Sequence, residues 1–423
     1  MLKKRVFWLQ SVAATVFIFG FMWVASNVLS IFEFLDPIGD ALAGYEVTDQ
    51  VFSDPQWREL PPAEENIVIV NIGNLSRREI AQQINIINSF EPKVIGLDAY
   101  FGKLKPDTLG DLILADAIAS TNNLITYAKL VNPDSTGLWH DIVYCHPMFK
   151  QNHEAASVNL VIEESDQEQH DFKTCRSFLP KEKLFNAETG EIDTVLAFGV
   201  RLAQELAPEK TAKFLARNNE EELVNYKGNV IDYGRTRFGT RYFALDTYDV
   251  LDTARYTADL LKDKIVLMGF LGKSFDDTRS VEDKYFTPLN SKYTGRAYPD
   301  MYGVVVHANI ISMILNEEYL DQMSEGMSWA VAIIVCFINV VLFSLIYHNI
   351  PKWYDGVTKL IQLTEALILT FIIILVFHFY SFKLDLTYTI LAVLLAGDSL
   401  EVFFGVIINT VNKFRNKLFT IET

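Results

Sequence analysis

Four stretches of the chain stay apolar for about twenty residues or more, whereas the sequence between them changes period every few residues. Val6–Leu29 is interrupted only by Gln10, Ser11, Thr15, Ser26 and Asn27, and Met327–Tyr347, Ile361–Phe382 and Leu386–Thr410 crowd the C-terminal end. A bilayer core needs about 20 such residues in a helix. The pattern therefore predicts four transmembrane helices, one N-terminal and three C-terminal. The first follows Lys3, Lys4 and Arg5 and holds Phe17, Phe19, Phe21, Met22 and Trp23. It is longer and bulkier than the roughly 7–15-residue core of a cleaved leader, so it reads as a permanent anchor.

Between the anchors the period shortens. Residues 31–65 carry Pro, Asp and Glu without a clear period and read as a connector. Asn66–Gly73 (NIVIVNIG) and Lys93–Tyr100 (KVIGLDAY) are continuous apolar runs of the kind a buried parallel strand shows. A helix capped by Asn74 or Ser76 joins them, with Ile80, Ile84 and Ile87 on one stripe and Pro92 beyond its end. Thr108–Ser120 predicts a second helix with Leu112, Ala115 and Ala119 inward, and Leu124–Leu130 a third strand. This β-α-β-α-β order predicts an α/β fold, with a mostly parallel central sheet flanked by helices. Ser157–Glu163 and Phe172–Leu179 alternate and read as a hairpin. Val195–Leu206 predicts an amphipathic helix that extends past Pro208 through Lys210–Arg217. Asn229–Tyr233, Thr240–Leu245 and Lys264–Leu271 are further strands. Val304–Leu315 reads as a helix running almost straight into the second span, after a polar, aromatic loop from Gly272 to Tyr302.

Charge sorts the same segments. Of 37 Lys+Arg and 53 Asp+Glu, residues 31–325 hold 28 basic and 47 acidic, a net −19. Such an acidic body excludes a nucleic-acid binder, which needs a basic face. Lys3, Lys4 and Arg5, then Lys352 and Lys359, then Lys413, Arg415 and Lys417 fall on one side of a four-span topology. That side is cytoplasmic by the positive-inside rule. The expected layout is a cytoplasmic stub and first span over 1–30, an extracytoplasmic domain over 31–325, a three-span bundle over 326–410 and a cytoplasmic tail over 411–423. Cys145 and Cys175 then lie where disulfides persist, and a bridge between them would close a loop of about 30 residues; two separate buried thiols are the alternative. His140, His146, His153 and His170 fall in the same region, but no CxxC or HxxxH spacing supports zinc. Neither a metal nor a cofactor is expected.

The succession IVIVNIG, SRREIA, PKVIGLDAYF and, much later, DKIVLMGF, YFTPL and YGVVVHANII resembles the type-two CHASE domain, over roughly residues 30–410. The core of the resemblance is Pro92–Phe101 and Asp263–Leu315. It implies an extracytoplasmic sensory module of bacterial receptors, in the inner membrane with both termini cytoplasmic. Receptors of that family usually carry an output enzyme after the last span. This sequence ends about 13 residues past it, which is too short for a catalytic domain. The expectation is therefore a non-enzymatic sensor signalling through its spans to a separate membrane or cytoplasmic effector. The alternative is a structural anchor of a cell-envelope complex, docked to the other subunits. Lipid, such a partner and a second copy of the chain are the expected contacts.

Ligands of open parallel sheets bind beyond the carboxyl ends of the strands. Arg77, Asp98, Asp277 of the Asp276–Pro288 loop and His307 are the candidate ligand-binding residues. Asp98, directly after an apolar strand, must find a donor or a cation, or a structural hydrogen bond. His307 on an apolar helix has a core histidine as its alternative. Asp276, Asp277, Glu282 and Asp283 lack EF-hand spacing, so a solvated loop is favoured over a cation site. No Walker, GxGxxG or GxSxG pattern and no triad spacing occurs, so no catalytic residue is expected. Glu365, Asp398 and Glu401 lie within predicted spans, where a charge costs at least about 2.5–3.5 kcal/mol. They read either as an interhelical network or as a docking or proton-linked site.

Overall fold

The structure is a computed structural model that describes residues 2–29, 46–54, 57, 61–150, 153–161, 174–186, 190–230, 241–254, 256–277, 280–290, 298–411 and 413. The chain divides into two compact units, Gly44–Leu320 and the pair of segments Met1–Ala43 with Asp321–Thr423. In chain order the principal elements are α1 (Leu2–Leu29), β1 (Glu64–Asn71), α2 (Arg77–Ser89), β2 (Val94–Leu97), α3 (Thr108–Ala119), β3 (Leu124–Pro133), β4 (Trp139–Tyr144) and β5 (Glu154–Ser157). They continue with β6 (Lys181–Phe185), β7 (Ile192–Leu196), α4 (Phe198–Leu206), β8 (Tyr242–Leu245), β9 (Ile265–Gly269), α5 (Gly303–Asn316), α6 (Glu325–Asn349), α7 (Tyr354–Tyr380) and α8 (Thr387–Val402).

The larger unit is built on a nine-stranded sheet of order β8–β1–β9–β2–β3–β4–β6–β7, with β5 also pairing β3. The strands from β8 to β3 are mutually parallel, and β5 joins β3 in parallel. Register follows the apolar runs: Ile67, Val68, Ile69 and Val70 of β1 face Ile265, Val266, Leu267 and Met268 of β9. β9 in turn faces Val94–Leu97 of β2. Because side chains alternate across a strand, Val68, Val70, Ile95, Leu97, Val266 and Met268 share a core with Ile80, Ile84 and Ile87 of α2 and Leu114 and Ile118 of α3. The other face takes α4 and α5 at close range. A Cβ on Gly96 would come within 2.6 Å of Leu202 and 2.9 Å of Phe198, and one on Gly269 within 2.7 Å of Val304. Glycine at these two positions is what lets the helices reach the sheet.

Local chemistry fixes the element ends. Ser76 and Glu79 form a reciprocal capping box on α2, and Asp107 caps α3. Glu64 begins β1 in a buried cluster. Arg241 lies 3.5 Å away, and Ser312 and Asn316 at the end of α5 donate to its carboxylate.

Several expected elements differ. Among the described residues the hairpin expected from Ser157–Glu163 and Phe172–Leu179 gives way to other pairings: β5 pairs in parallel with β3, and Ser177–Phe178 pairs with Glu222–Leu223; residues 162–173 lie outside the described residues. The antiparallel ladders of the nine-stranded sheet are instead β3–β4 and β6–β7. The first turns at Asp134, whose carboxylate accepts from Thr136 and Leu138, and at Gly137 with φ +77°. Residues 195 and 196 belong to β7, and α4 starts at Phe198. Asn229–Tyr233 lies partly outside the described residues. The loop from Gly272 to Tyr302 contains a short antiparallel pairing, Lys284–Tyr285 with Met301–Tyr302. In α3 the facing is also revised, since Asp111 points inward and Leu112 is 56% exposed. α5 does not run on into α6. Glu317 adopts a left-handed φ of 55° and ends it, and Ser324 caps the next helix afresh.

The smaller unit has four helices long and apolar enough to cross a membrane: Arg5–Val24, Glu325–Asn349, Pro351–Tyr380 and Thr387–Val411. Ala14, Ile18 and Met22 of α1 pack with Cys336, Val340 and Phe343 of α6 and Ala392, Ala396 and Leu400 of α8. Polar side chains join α7 to α8. Gln362 donates to the carbonyls of Val393 and Leu394 at 2.9 Å each, and the Tyr354 hydroxyl donates to that of Gly397 at 2.8 Å. In an apolar medium such bonds have little competition from water.

Candidate functional site

The carboxyl ends of β1, β8 and β9 are locked together by side chains. Asn71, the last residue of β1, donates to Asp246 (2.8 Å) and to the Gly272 carbonyl (3.1 Å), and its side-chain oxygen accepts from Gly73 and Leu271 (2.9 Å each). Asp246 in turn accepts from the backbone of Thr247 (2.8 Å) and Phe275 (2.9 Å). Gln83 of α2 donates to the Asn71 and Thr247 carbonyls. The Asn71 amide and the Asp246 carboxylate are satisfied by these bonds, which hold three loops together.

The next strand end is different. Asp98 follows β2, its backbone N–H tied to the Met268 carbonyl of β9 at 2.8 Å. Its half-buried carboxyl has no hydrogen-bond or ion-pair partner among the described residues. Burial first, and then the carboxylate of Asp283, push its pKa up to about 7. Asp283 is exposed and holds a left-handed φ of 55°. Its carbonyl accepts from the N–H of Gly303, the first residue of α5, and a Cβ on Gly303 would lie 3.5 Å from its carboxylate. A carboxylate is favoured at that position by the helix dipole. Aromatic rings flank the pair. Tyr127 of β3 and Tyr100 meet at 5.3 Å. Burial and then Asp98 raise Tyr127 to about 12; burial and then Asp283 raise Tyr285. Two acids, one half-buried and one open to solvent, thus lie within electrostatic reach of each other and of Tyr127 and Tyr285 at the sheet's carboxyl edge. The arrangement suits a cationic or hydrogen-bond-donating group.

The other sequence candidates lie elsewhere. Arg77 is consumed inside the fold: it pairs with buried Asp111, donates to the Lys103 carbonyl, and lies 4.7 Å from the centre of the Phe149 ring. His307 is buried edge-on to Phe198 at 5.2 Å, and burial pushes its pKa down to about 4, so it is a neutral core side chain. Asp277 accepts from Lys273 N–H at 3.4 Å in the turn after β9, and nothing among the described residues links it to Asp98. Cys145 and Cys175 are not bridged. The Cys145 thiol lies against the Ala99 carbonyl and the Phe101 N–H, that of Cys175 against the Ser177 carbonyl. Among the described residues no three His, Cys, Asp or Glu side chains gather as metal ligands.

Within the helical unit, Asp398 pairs with Lys359 on the outer surface, Glu401 is exposed, and one oxygen of Glu365 is buried without a partner. Sequence reasoning missed Asn71, Tyr127 and Tyr285. The polar end of an otherwise apolar strand signalled the first; nothing signalled the tyrosines.

A three-layer α/β body with two neighbouring carboxylates at its carboxyl edge stands in one chain with four helices long and apolar enough to cross a membrane, a make-up compatible with a membrane protein. The CHASE2 domain family model matches residues 17–346, and the chain belongs to that family of extracytoplasmic sensory domains. The match begins within α1, ahead of residue 30, and ends near the end of α6, so it extends the 30–410 span of the resemblance at its start and stops short of it at its end. No curated protein and no solved structure matches the chain.

Proposed function

We propose that the chain is a non-enzymatic sensor of the bacterial inner membrane, whose α/β body binds a small cationic or donor-bearing ligand outside the cytoplasm. The observation that carries this is the placement of Asp98 and Asp283. The first ends a central strand with its carboxyl unanswered; the second sits at the N-terminus of α5. That helix ends at Asn316, nine residues before the start of α6 at Glu325, itself a candidate span. A ligand that joins the two carboxylates would alter the setting of α5, and the spans would pass the change to a separate effector. Sliding or rotation of packed helices is an established form of such transitions.

The test is a thermal-shift screen of the full chain in lipid nanodiscs against amines, amino acids and divalent cations. A ligand at 100 times its Kd stabilises by about 2.7 kcal/mol. The expected hit raises the melting temperature of the native chain and not of Asp98→Asn; equal stabilisation of both overturns the site. Topology has its own test. The basic residues around the spans support cytoplasmic termini and an exported body. Alkaline phosphatase fused within the body, after Asn219, should be active and fused after Thr423 inactive; the reverse pattern refutes the proposed layout.

A further inference from the structure

The two helices on one face of the sheet have opposite outer surfaces. α2 shows solvent Arg78, Gln82, Asn85 and Ser89, the usual polar side of an amphipathic helix. α3 shows solvent Leu109 (52% exposed), Leu112 and Ile113, and Leu104 in the segment before it is exposed as well. These positions recur at i, i+3 and i+4 on a helix whose inner face is already filled by Leu114, Ala117 and Ile118. Contiguous exposed apolar surface of this kind marks an interaction site. Its ends carry opposite charges. Lys105 precedes the helix, and Asp116, one turn beyond Leu112 and Ile113, closes the stripe. Neither side chain has an ion-pair or hydrogen-bond partner among the described residues.

We propose that this stripe is the interface for a second copy of the chain, packed with its α3 antiparallel to the first. The pattern is self-complementary about a two-fold axis crossing the helix between Gly110 and Asp111. That axis sets Leu109 against the partner's Leu112 and, because antiparallel helices lie start against end, brings the Lys105 segment just before one α3 toward Asp116 in the last turns of the other, on both sides at once. An isologous contact requires this reciprocity, and antiparallel helices also oppose their dipoles favourably. A lipid surface or an unrelated protein would meet the same leucines, but neither calls for a cation at one end and a carboxylate at the other in matching register.

The test is light scattering of the full chain in mild detergent, across a concentration series. The wild type should be a dimer. Leu112→Arg, which acts twice per dimer, should raise the dimer Kd at least about thirtyfold. Lys105→Asp and Asp116→Lys alone place like charges together and should each weaken the dimer about five- to tenfold. The doubly substituted K105D/D116K chain should return to within about threefold of wild type. These exposed charge changes leave the core intact, so the charge cycle stands even if Leu112→Arg disturbs folding. A monomeric wild type, including one that instead binds lipid vesicles through the stripe, overturns the proposal. So does a dimer indifferent to Leu112→Arg, or a charge swap that fails to recover.

Discussion

Arg77→Met is expected to destabilise the α/β body by about 3–5 kcal/mol, the cost of removing one partner from a buried ion pair. In a domain of this size that lowers the melting temperature by roughly 10 °C. The guanidinium is 6% exposed and its partner Asp111 2%. Methionine keeps much of the volume, so the loss is electrostatic. Asp111 would retain only the Lys105 N–H, at 2.8 Å, and the Lys103 carbonyl would lose its donor. The stacking of Arg77 over Phe149 and, at 5.6 Å, Phe101 would go as well. The pair also joins the first residue of α2 to the first turn of α3, so its loss loosens one whole helical layer. Removing both charges in R77M/D111L should restore more than half of the loss, because no uncompensated carboxylate then remains. A melting temperature for Arg77→Met within a degree of wild type would refute this account.

The second large effect is a loss of stability as pH rises. Burial pushes Asp98, Asp300 and Glu182 each up to about 7, well above their unfolded values near 4. Between about pH 4 and 7 the folded chain holds protons on these groups that the unfolded chain has released. Unfolding there releases protons, so stability falls as pH rises through the window. One pKa unit corresponds to 1.36 kcal/mol, and each group is worth on the order of 1–3 kcal/mol after screening. His307 works the other way. Its pKa, pushed down to about 4, means the unfolded chain takes up a proton below about 6.5 that the folded chain refuses. One opposing group does not cancel three. Towards pH 4 a second loss begins, as Glu64 is protonated. Burial pulls it up, but bonds from Asn316, Ser312 and Asn66 outweigh that and hold it below its ordinary value. Melting temperatures measured from pH 5 to 8.5 should therefore fall with rising pH, most steeply below about pH 6.5, and level off above about pH 8. Asp98→Asn should flatten that slope, and a flat or rising profile for the wild type would contradict the assignment.

What could be read from the sequence follows the range of the interactions. β1, β2 and β9 announce themselves because both faces of a central parallel strand are covered. α2 is marked by its isoleucine stripe and by the SRRE capping box. α3 resists such reading, because a helix apolar all round leaves its period unable to choose a face. Only the partner of Arg77, 34 residues away, settles that Asp111 turns inward. The site divides in the same way. Asp98 is legible as a carboxylate that ends a buried strand. Asp283 is one acid among four in a loop, and its role depends on where α5 begins. Arg77 and His307 carry functional residue types, yet each is spent within the core, the first on a salt bridge and the second on a Phe198 edge. The missed hairpin ladders rest on side-chain turns at Asp134 and on the short β6–β7 pairing, both weaker than the apolar signals around them.

The insertion of β9 between β1 and β2 also governs how the body is assembled. During synthesis the early strands emerge with a vacant slot between them, and the strand that fills it arrives some 170 residues later. Closing so wide a loop is slow, since long-range parallel pairing comes late in folding. Until then two naked apolar edges stand ready to recruit other chains. Until β9 arrives, the half-finished sheet must therefore be sheltered from other chains. A fragment cut anywhere before Lys264 would keep the first helices and strands but lack the keystone that joins them.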